Sequence, residues 1–161
     1  MKAVFPGTFD PLTMGHLDLI KRASKMFDQV TVLVATNTSK KAMFSFAERK
    51  ALLEQEIAFL PNVNVIAAPK DLTVNVAKKI KAQAIIRGVR DAQDFEYEKA
   101  IALMNRHLAP EIETVLLLTD ARYSFLSSSI VKEVALFGGD LTGLLPDKTA
   151  QALREKVKQY D

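Results

Sequence analysis

The chain contains no cysteine and only two histidines among its 161 residues. Without cysteine, a disulfide framework and a thiolate zinc site are both excluded. His16 and His107 alone exclude a multi-histidine metal site. A Mg²⁺ that keeps its water and rides on substrate phosphates stays open. No apolar run approaches the ~20 residues needed to span a bilayer. Met1-Lys2 is followed by a short apolar run and then at once by Pro6-Gly7, so no signal peptide is expected. There is no dense Lys/Arg run either. Twenty-two basic against 19 acidic residues leave a net charge of +3, which suits anionic small molecules and gives no reason to expect nucleic acid. Three common motifs are missing as well. Walker A is absent, no G-x-G-x-x-G follows the first strand pattern, and no G-x-S-x-G appears.

Hydrophobic residues make up 48% of the chain, enough for a well-buried core. Strand-like and helix-like patterns alternate from end to end, without repeats or a low-complexity linker. Strands are expected at about Lys2–Phe5, Val30–Ala35, Val63–Ala67, Ala84–Ile86 and Thr114–Leu118. Helices are expected at about Gly15–Phe27, Phe46–Phe59, Thr73–Lys81, Asp94–His107, Ser129–Phe137 and Asp147–Tyr160. This order predicts one α/β domain over residues 1–161: a Rossmann-like, doubly wound, five-stranded parallel sheet with a C-terminal helix. Right-handed crossovers would bring the carboxyl ends of all strands to one edge. The loops there carry Thr8, His16, Lys40, Thr73, Arg87, Arg90 and the serines Ser127, Ser128 and Ser129.

The stretch Pro6-Gly7-Thr8-Phe9-Asp10-Pro11 leads into Thr13-Met14-Gly15-His16. In a strand–turn–helix context, Gly15 lets the backbone approach a phosphate and His16 sits on the first helical turn. In isolation a turn glycine and a surface histidine would look the same. Ser127-Ser128-Ser129-Ile130-Val131-Lys132 offers hydroxyls and free N–H groups at a helix start, where a plain N-cap is the simpler reading. Ile86-Arg87-Gly88-Val89-Arg90 ends a buried strand with two arginines that could clamp phosphate bidentately, or could form ordinary surface ion pairs.

Together, T-M-G-H and S-S-S-I-V-K resemble the two signatures of the nucleotidylyltransferase superfamily. Arg87-Gly88-Val89-Arg90, Asp94-Phe95-Glu96-Tyr97-Glu98 and Met104-Asn105-Arg106-His107-Leu108 extend the resemblance to the bacterial phosphopantetheine adenylyltransferases over nearly the whole chain. Lys132 stands where many superfamily members have arginine, Thr13 where many have a second histidine, and Tyr123 where tryptophan is frequent.

The resemblance implies reversible transfer of AMP from ATP to 4′-phosphopantetheine, giving dephospho-CoA and pyrophosphate. The transfer would proceed by direct attack, with Mg²⁺ bound through the ATP phosphates and no metal held by the protein. His16, Lys40 and Arg90 are the implied catalytic residues. Thr8, Phe9, His16, Gly88, Val89, Arg90, Glu98 and Tyr123, Ser124, Phe125, Leu126, Ser127, Ser128 and Ser129 are implied on the ATP side. Thr8, Lys40, Thr73 and Arg87 are implied on the acceptor side. A homohexamer and feedback inhibition by CoA are implied too, while the expectation of a cytoplasmic protein with no membrane partner rests on the missing signal peptide and membrane-length run. Other enzymes on the same scaffold, such as a cytidylyltransferase, share the two outer motifs. A non-catalytic nucleotide-binding module stays open beside them.

Overall fold

A computed structural model describes residues 1–36 and 41–159. In chain order the elements are β1 (Lys2–Gly7), α1 (Met14–Met26), β2 (Gln29–Ala35), α2 (Phe46–Glu56), β3 (Val63–Ala68), α3 (Thr73–Lys79), β4 (Ala84–Val89), α4 (Ala92–Leu108), β5 (Glu113–Leu118), a 3-10 turn (Ala121–Tyr123), α5 (Ser128–Leu136) and α6 (Asp147–Val157). The strands form one parallel sheet in the order β3-β2-β1-β4-β5. This is the Rossmann-like, five-stranded parallel sheet expected from the alternating patterns, and the structure adds its strand order.

Strand alternation builds a core on each face of the sheet. Ala3, Phe5, Val30, Val32, Val34, Ala84 and Ile86 pack with Leu17, Leu19 and Ile20 of α1 and Leu53 of α2. Val4, Leu33 and Ile85 point the other way, against Val74, Val76 and Ala77 of α3. A third cluster joins α5 to α6 through Val131, Ala135, Ala150, Leu153 and Val157, with Phe44 and Leu126. The last helix therefore packs on the body of the molecule. Helix α4 differs from the rest: of its 17 residues only Glu98 is buried.

Element ends follow local hydrogen bonding. Helix α1 begins at Met14 because Thr13 caps it, and α4 begins at Ala92 because the Asp91 side chain accepts the Asp94 N–H at 2.8 Å. Helix α3 stops at Lys79, with Lys81 already in the left-handed region at φ 57°. Strand β4 runs three residues past the expected Ile86, since Arg87, Gly88 and Val89 pair with Leu116, Leu117 and Leu118. Arg87 and Gly88 thus project from a strand and not from a loop.

Candidate active site

The chain order reverses between β1 and β4, which is where open α/β sheets place ligands. The register shows why a cleft forms there. Pairing of β1 with β2 continues to Gly7↔Val34, and β4 with β5 to Val89↔Leu118. Strands β1 and β4 pair at Ala3↔Ala84 and Val4↔Ile85. Beyond them the two strand ends part, and a cavity of roughly 630 Å³ opens. Its wall includes Thr8, His16, Arg87, Gly88, Arg90 and Ser127 to Ser129. The Arg87 guanidinium spans the split by donating from Nη1 to the Pro6 carbonyl at 3.2 Å.

His16 is fixed by an unusual capping box on α1. Thr13 Oγ1 accepts the His16 N–H at 3.3 Å, and His16 Nδ1 accepts the Thr13 N–H at 3.1 Å. A backbone N–H can only donate, so Nδ1 keeps its lone pair. The neutral ring therefore carries its proton on Nε2. Burial lowers the imidazole pKa to about 4 from an ordinary 6.5, and the charges of Arg90 and then Arg87 add to the effect. At neutral pH His16 is an uncharged Nε2–H donor in the cavity wall.

Phe9 lies beneath it. Its ring is 2% exposed and meets His16 edge-on at 5.2 Å between centroids. The Phe9 backbone takes φ 49°, an uncommon conformation for a bulky residue. A Cβ on Gly7 would stand 2.7 Å from Phe9 Cζ, so the strand end needs glycine for the ring to fold back. What Phe9 offers a ligand is backbone, not an aromatic face.

Each described cation of the wall is engaged with protein oxygens. Arg87 makes a bidentate pair with Glu98, at 2.7 Å from Nε and 2.6 Å from Nη2. Arg90 does the same with Asp94 at 2.7 and 3.0 Å, and Nη1 donates to the Leu126 carbonyl at 3.3 Å. The Arg90 bond holds the Asp94 carboxyl below the usual range despite partial burial. Lys132 pairs with Asp10 at 2.7 Å. Arg49, 3% exposed, donates to the Thr8 carbonyl at 2.8 Å and stacks on Phe46 at 4.2 Å. Burial pulls its pKa down, against the opposing pull of Asp10.

The serines divide the work at the start of α5. Ser127 is the N-cap, accepting the Ile130 N–H at 3.2 Å, and Ser128 donates to the Pro11 carbonyl at 2.8 Å. Tyr123 and Leu126 also reach the cavity wall, whereas Thr73, Val89, Ser124 and Phe125 are outside it among the described residues. Thr73 begins α3, and the Phe125 side chain is exposed. Lys40 lies outside the described residues. Glu98 and Arg87, expected at opposite ends of the bound substrates, are partners in one ion pair.

Sequence reasoning did not single out Asp10, Arg49 or Thr119 as site residues, although all three line the cavity. Thr119 immediately follows β5, so the rule that sites form at strand carboxyl ends would have found it. Asp10 sits between Phe9 and a proline in an apolar turn, where a carboxylate needs a partner. Arg49 carries no local signal, since one arginine on a capped helix resembles any solvated one.

The model of the family described as cytidylyltransferase-like matches residues 4–134. The chain is 54% identical to the phosphopantetheine adenylyltransferase of Levilactobacillus brevis, over 97% of this chain and 96% of that one. The chain belongs to the phosphopantetheine adenylyltransferase family. Members from Lacticaseibacillus paracasei and Dictyoglomus thermophilum are 56% and 50% identical, over 96% and 97% of this chain and 93% and 94% of theirs. A crystal structure of a Vibrio parahaemolyticus protein assigned as a nicotinate-nucleotide adenylyltransferase superposes with a TM-score of 0.73, over 99% of this chain and 96% of that one. At 17% identity that likeness shows the fold alone. No helix among the described residues is long and apolar enough to cross a membrane.

Proposed function

We propose that this chain, like the adenylyltransferases it resembles, transfers AMP from ATP to 4′-phosphopantetheine, giving dephospho-CoA and pyrophosphate. This is the penultimate step of CoA biosynthesis. The observation that carries the reading is the convergence of the Thr8–His16 turn, Arg87–Arg90 and Ser127–Ser129 on one cavity, in a chain about half identical to the named enzymes over nearly its full length.

An acceptor phosphate oxygen attacks the α-phosphorus of ATP, and the bond to the bridging oxygen of the β-phosphate breaks, releasing pyrophosphate. The nucleophile is already anionic, so no general base is required. That matches a wall supplied with donors and cations. The neutral His16 donates from Nε2 to the phosphoryl oxygens as charge shifts in the transition state. Arg90 and Gly88 serve the nucleotide with Glu98, Tyr123, Leu126 and Ser127, Ser128 and Ser129, all of which line the cavity. Lys40, Thr73 and Arg87 serve the acceptor. Thr8 and Phe9 lie where the two substrates meet.

The cavity carboxylates Asp10, Asp94 and Glu98 are each paired with a cation. A Mg²⁺ carried on the ATP phosphates fits this wall better than one held by the protein. Bound there, the ion offsets triphosphate charge. The homohexamer is part of the proposal, and the exposed Leu103, Met104 and Leu108 of α4 with Leu118 at the end of edge strand β5 give it an apolar surface through which to assemble. Feedback inhibition by CoA and a cytoplasmic location complete the proposal.

Purified protein given MgATP and 4′-phosphopantetheine should release pyrophosphate in step with dephospho-CoA. Release no faster than in the absence of the acceptor would overturn the reading.

A further inference from the structure

Asp10 has more partners than any other carboxylate in the cavity wall, and the proposed reaction gives it no role. Its side chain is 5% exposed. Oδ2 accepts the Met43 N–H at 2.9 Å, and Oδ1 accepts the Phe44 N–H at 2.8 Å. The Lys132 ammonium donates to Oδ2 at 2.7 Å. One residue on, the Pro11 carbonyl accepts the Ser128 hydroxyl at 2.8 Å. A buried carboxylate without such partners would be strongly disfavoured. Burial raises the Asp10 pKa, but Lys132 and the two amides together outweigh it and keep the group ionised.

These bonds join three chain segments at their polar edge; on the apolar side Phe44, Leu126 and Val131 already pack together. The first turn carries Thr8 and Phe9. The segment after β2 runs through Lys41 to Met43 and Phe44. Helix α5 carries Ser127 to Ser129 at its start and Lys132 one turn in. We propose that Asp10 is a positioning residue that clamps the segment after β2 and the start of α5 to the first turn, so that acceptor-side and nucleotide-side groups keep one register. The catalytic part of this inference rests on the adenylyl-transfer reading; the clamp itself rests on geometry alone.

The test uses the full chain and the variants Asp10→Asn and Asp10→Ala. Asn keeps one acceptor oxygen for an amide but loses the charge that holds Lys132. Ala loses every bond. If the clamp sets the register of the reacting groups, kcat for pyrophosphate release falls about 10²-fold in Asp10→Asn and further in Asp10→Ala. Each substrate's KM changes much less. Assays run well below the melting temperature of each variant separate this from instability. A lowered melting temperature with unchanged kcat would overturn the catalytic part.

Limited trypsin digestion supplies a readout independent of activity. Cleavage after the exposed Lys41 should accelerate in Asp10→Asn and more in Asp10→Ala, relative to cleavage elsewhere. Unchanged cleavage at Lys41 in both variants would overturn the clamp. A wild-type chain that releases no pyrophosphate would overturn the functional reading, and the digestion would still decide the clamp.

Discussion

The two banks of the cleft are built by different means. On the β1 bank, His16 is held by backbone and threonine bonds of its own helix and is kept uncharged by burial. On the β4 bank, Arg87 and Arg90 remain charged and are held by Glu98 and Asp94, one helical turn apart on α4. The first bank presents a fixed dipole; the second presents charges that a phosphate must share with carboxylates. A donor held by hydrogen bonds within its own first helical turn keeps its direction whatever binds. A guanidinium held by a carboxylate keeps its position but can exchange partners when a second anion arrives. The division fits a reaction in which one bank meets the charge that develops and the other receives the charge already present.

The largest expected effect comes from the β1 bank. Replacing His16 by alanine removes the uncharged donor while leaving both ion pairs of the other bank intact. Pyrophosphate release should fall about 10²–10³-fold, with far-UV circular dichroism and ATP affinity by calorimetry nearly unchanged. A fall accompanied by an equal loss of ATP affinity would mean that His16 serves binding and not the transition state.

The same side chain should leave a signature in stability. In the unfolded chain the imidazole takes up a proton near pH 6.5, whereas in the folded chain it does so only at about pH 4. Between those values protons favour the unfolded chain. The His16 contribution is therefore intact above pH 6.5 and is lost as the pH falls toward 4. The full shift corresponds to about 3 kcal/mol. Depressed carboxylates such as Asp10 and Asp94 add their own losses at the acid end. Urea unfolding between pH 7.5 and 4.5 should show a shallower slope for His16→Gln than for the wild type. Equal slopes would mean that the folded imidazole titrates normally.

The contrast between the banks also separates what the sequence reveals from what it hides. The five strands and their helices were legible because valine-rich runs and 3.6-residue periodicity are local properties, as in Val30 to Ala35. Thr8, His16, Arg87, Arg90 and the serine run could be placed on one edge from the alternating elements and right-handed crossovers. The position of the cleft between β1 and β4 needed the strand order. What could not be read was partnership. That His16 Nδ1 would accept the Thr13 N–H was hidden because a capping box is recognised by glutamate or glutamine at its third position. The pairing of Glu98 with Arg87 depends on β4 running past Ile86, and strand ends are poorly marked in a buried run. Asp10 and Lys132 meet across 122 positions of chain, and no local pattern encodes that meeting.

On the β4 bank, Glu98→Ala should cost stability. It leaves Arg87, whose side chain is 24% exposed, with the Pro6 carbonyl as its remaining described partner. Breaking a fully buried pair costs about 3–5 kcal/mol. The partial exposure of Arg87 and that remaining bond reduce the expected loss to about 2 kcal/mol, measured as a shift in urea midpoint at constant m-value. The exposed pair Lys99–Glu96 on the same helix is the control. Glu96→Ala should change stability by less than about 0.5 kcal/mol. Equal effects at the two positions would show that the β4 bank is no better fixed than an ordinary helix surface.

The smallest effect separates the Thr13 hydroxyl from the Thr13 backbone N–H as holders of His16. Thr13→Ala removes the hydroxyl, which accepts the His16 N–H and lies 3.0 Å from Nδ1, but it keeps the backbone N–H that donates to Nδ1. Loss of such a cap costs about 1 kcal/mol of stability. If the backbone donor alone selects the tautomer, the variant ring stays protonated on Nε2. Pyrophosphate release should then fall no more than about tenfold, far less than in His16→Ala. Nitrogen-15 shifts of the His16 ring report the tautomer directly. A variant whose ring moves its proton to Nδ1 and whose activity drops as far as that of His16→Ala would assign the orientation to the Thr13 hydroxyl. The direction of the β1 bank would then be set by a side chain, as on the opposite bank, and the division between the banks would lie in charge alone.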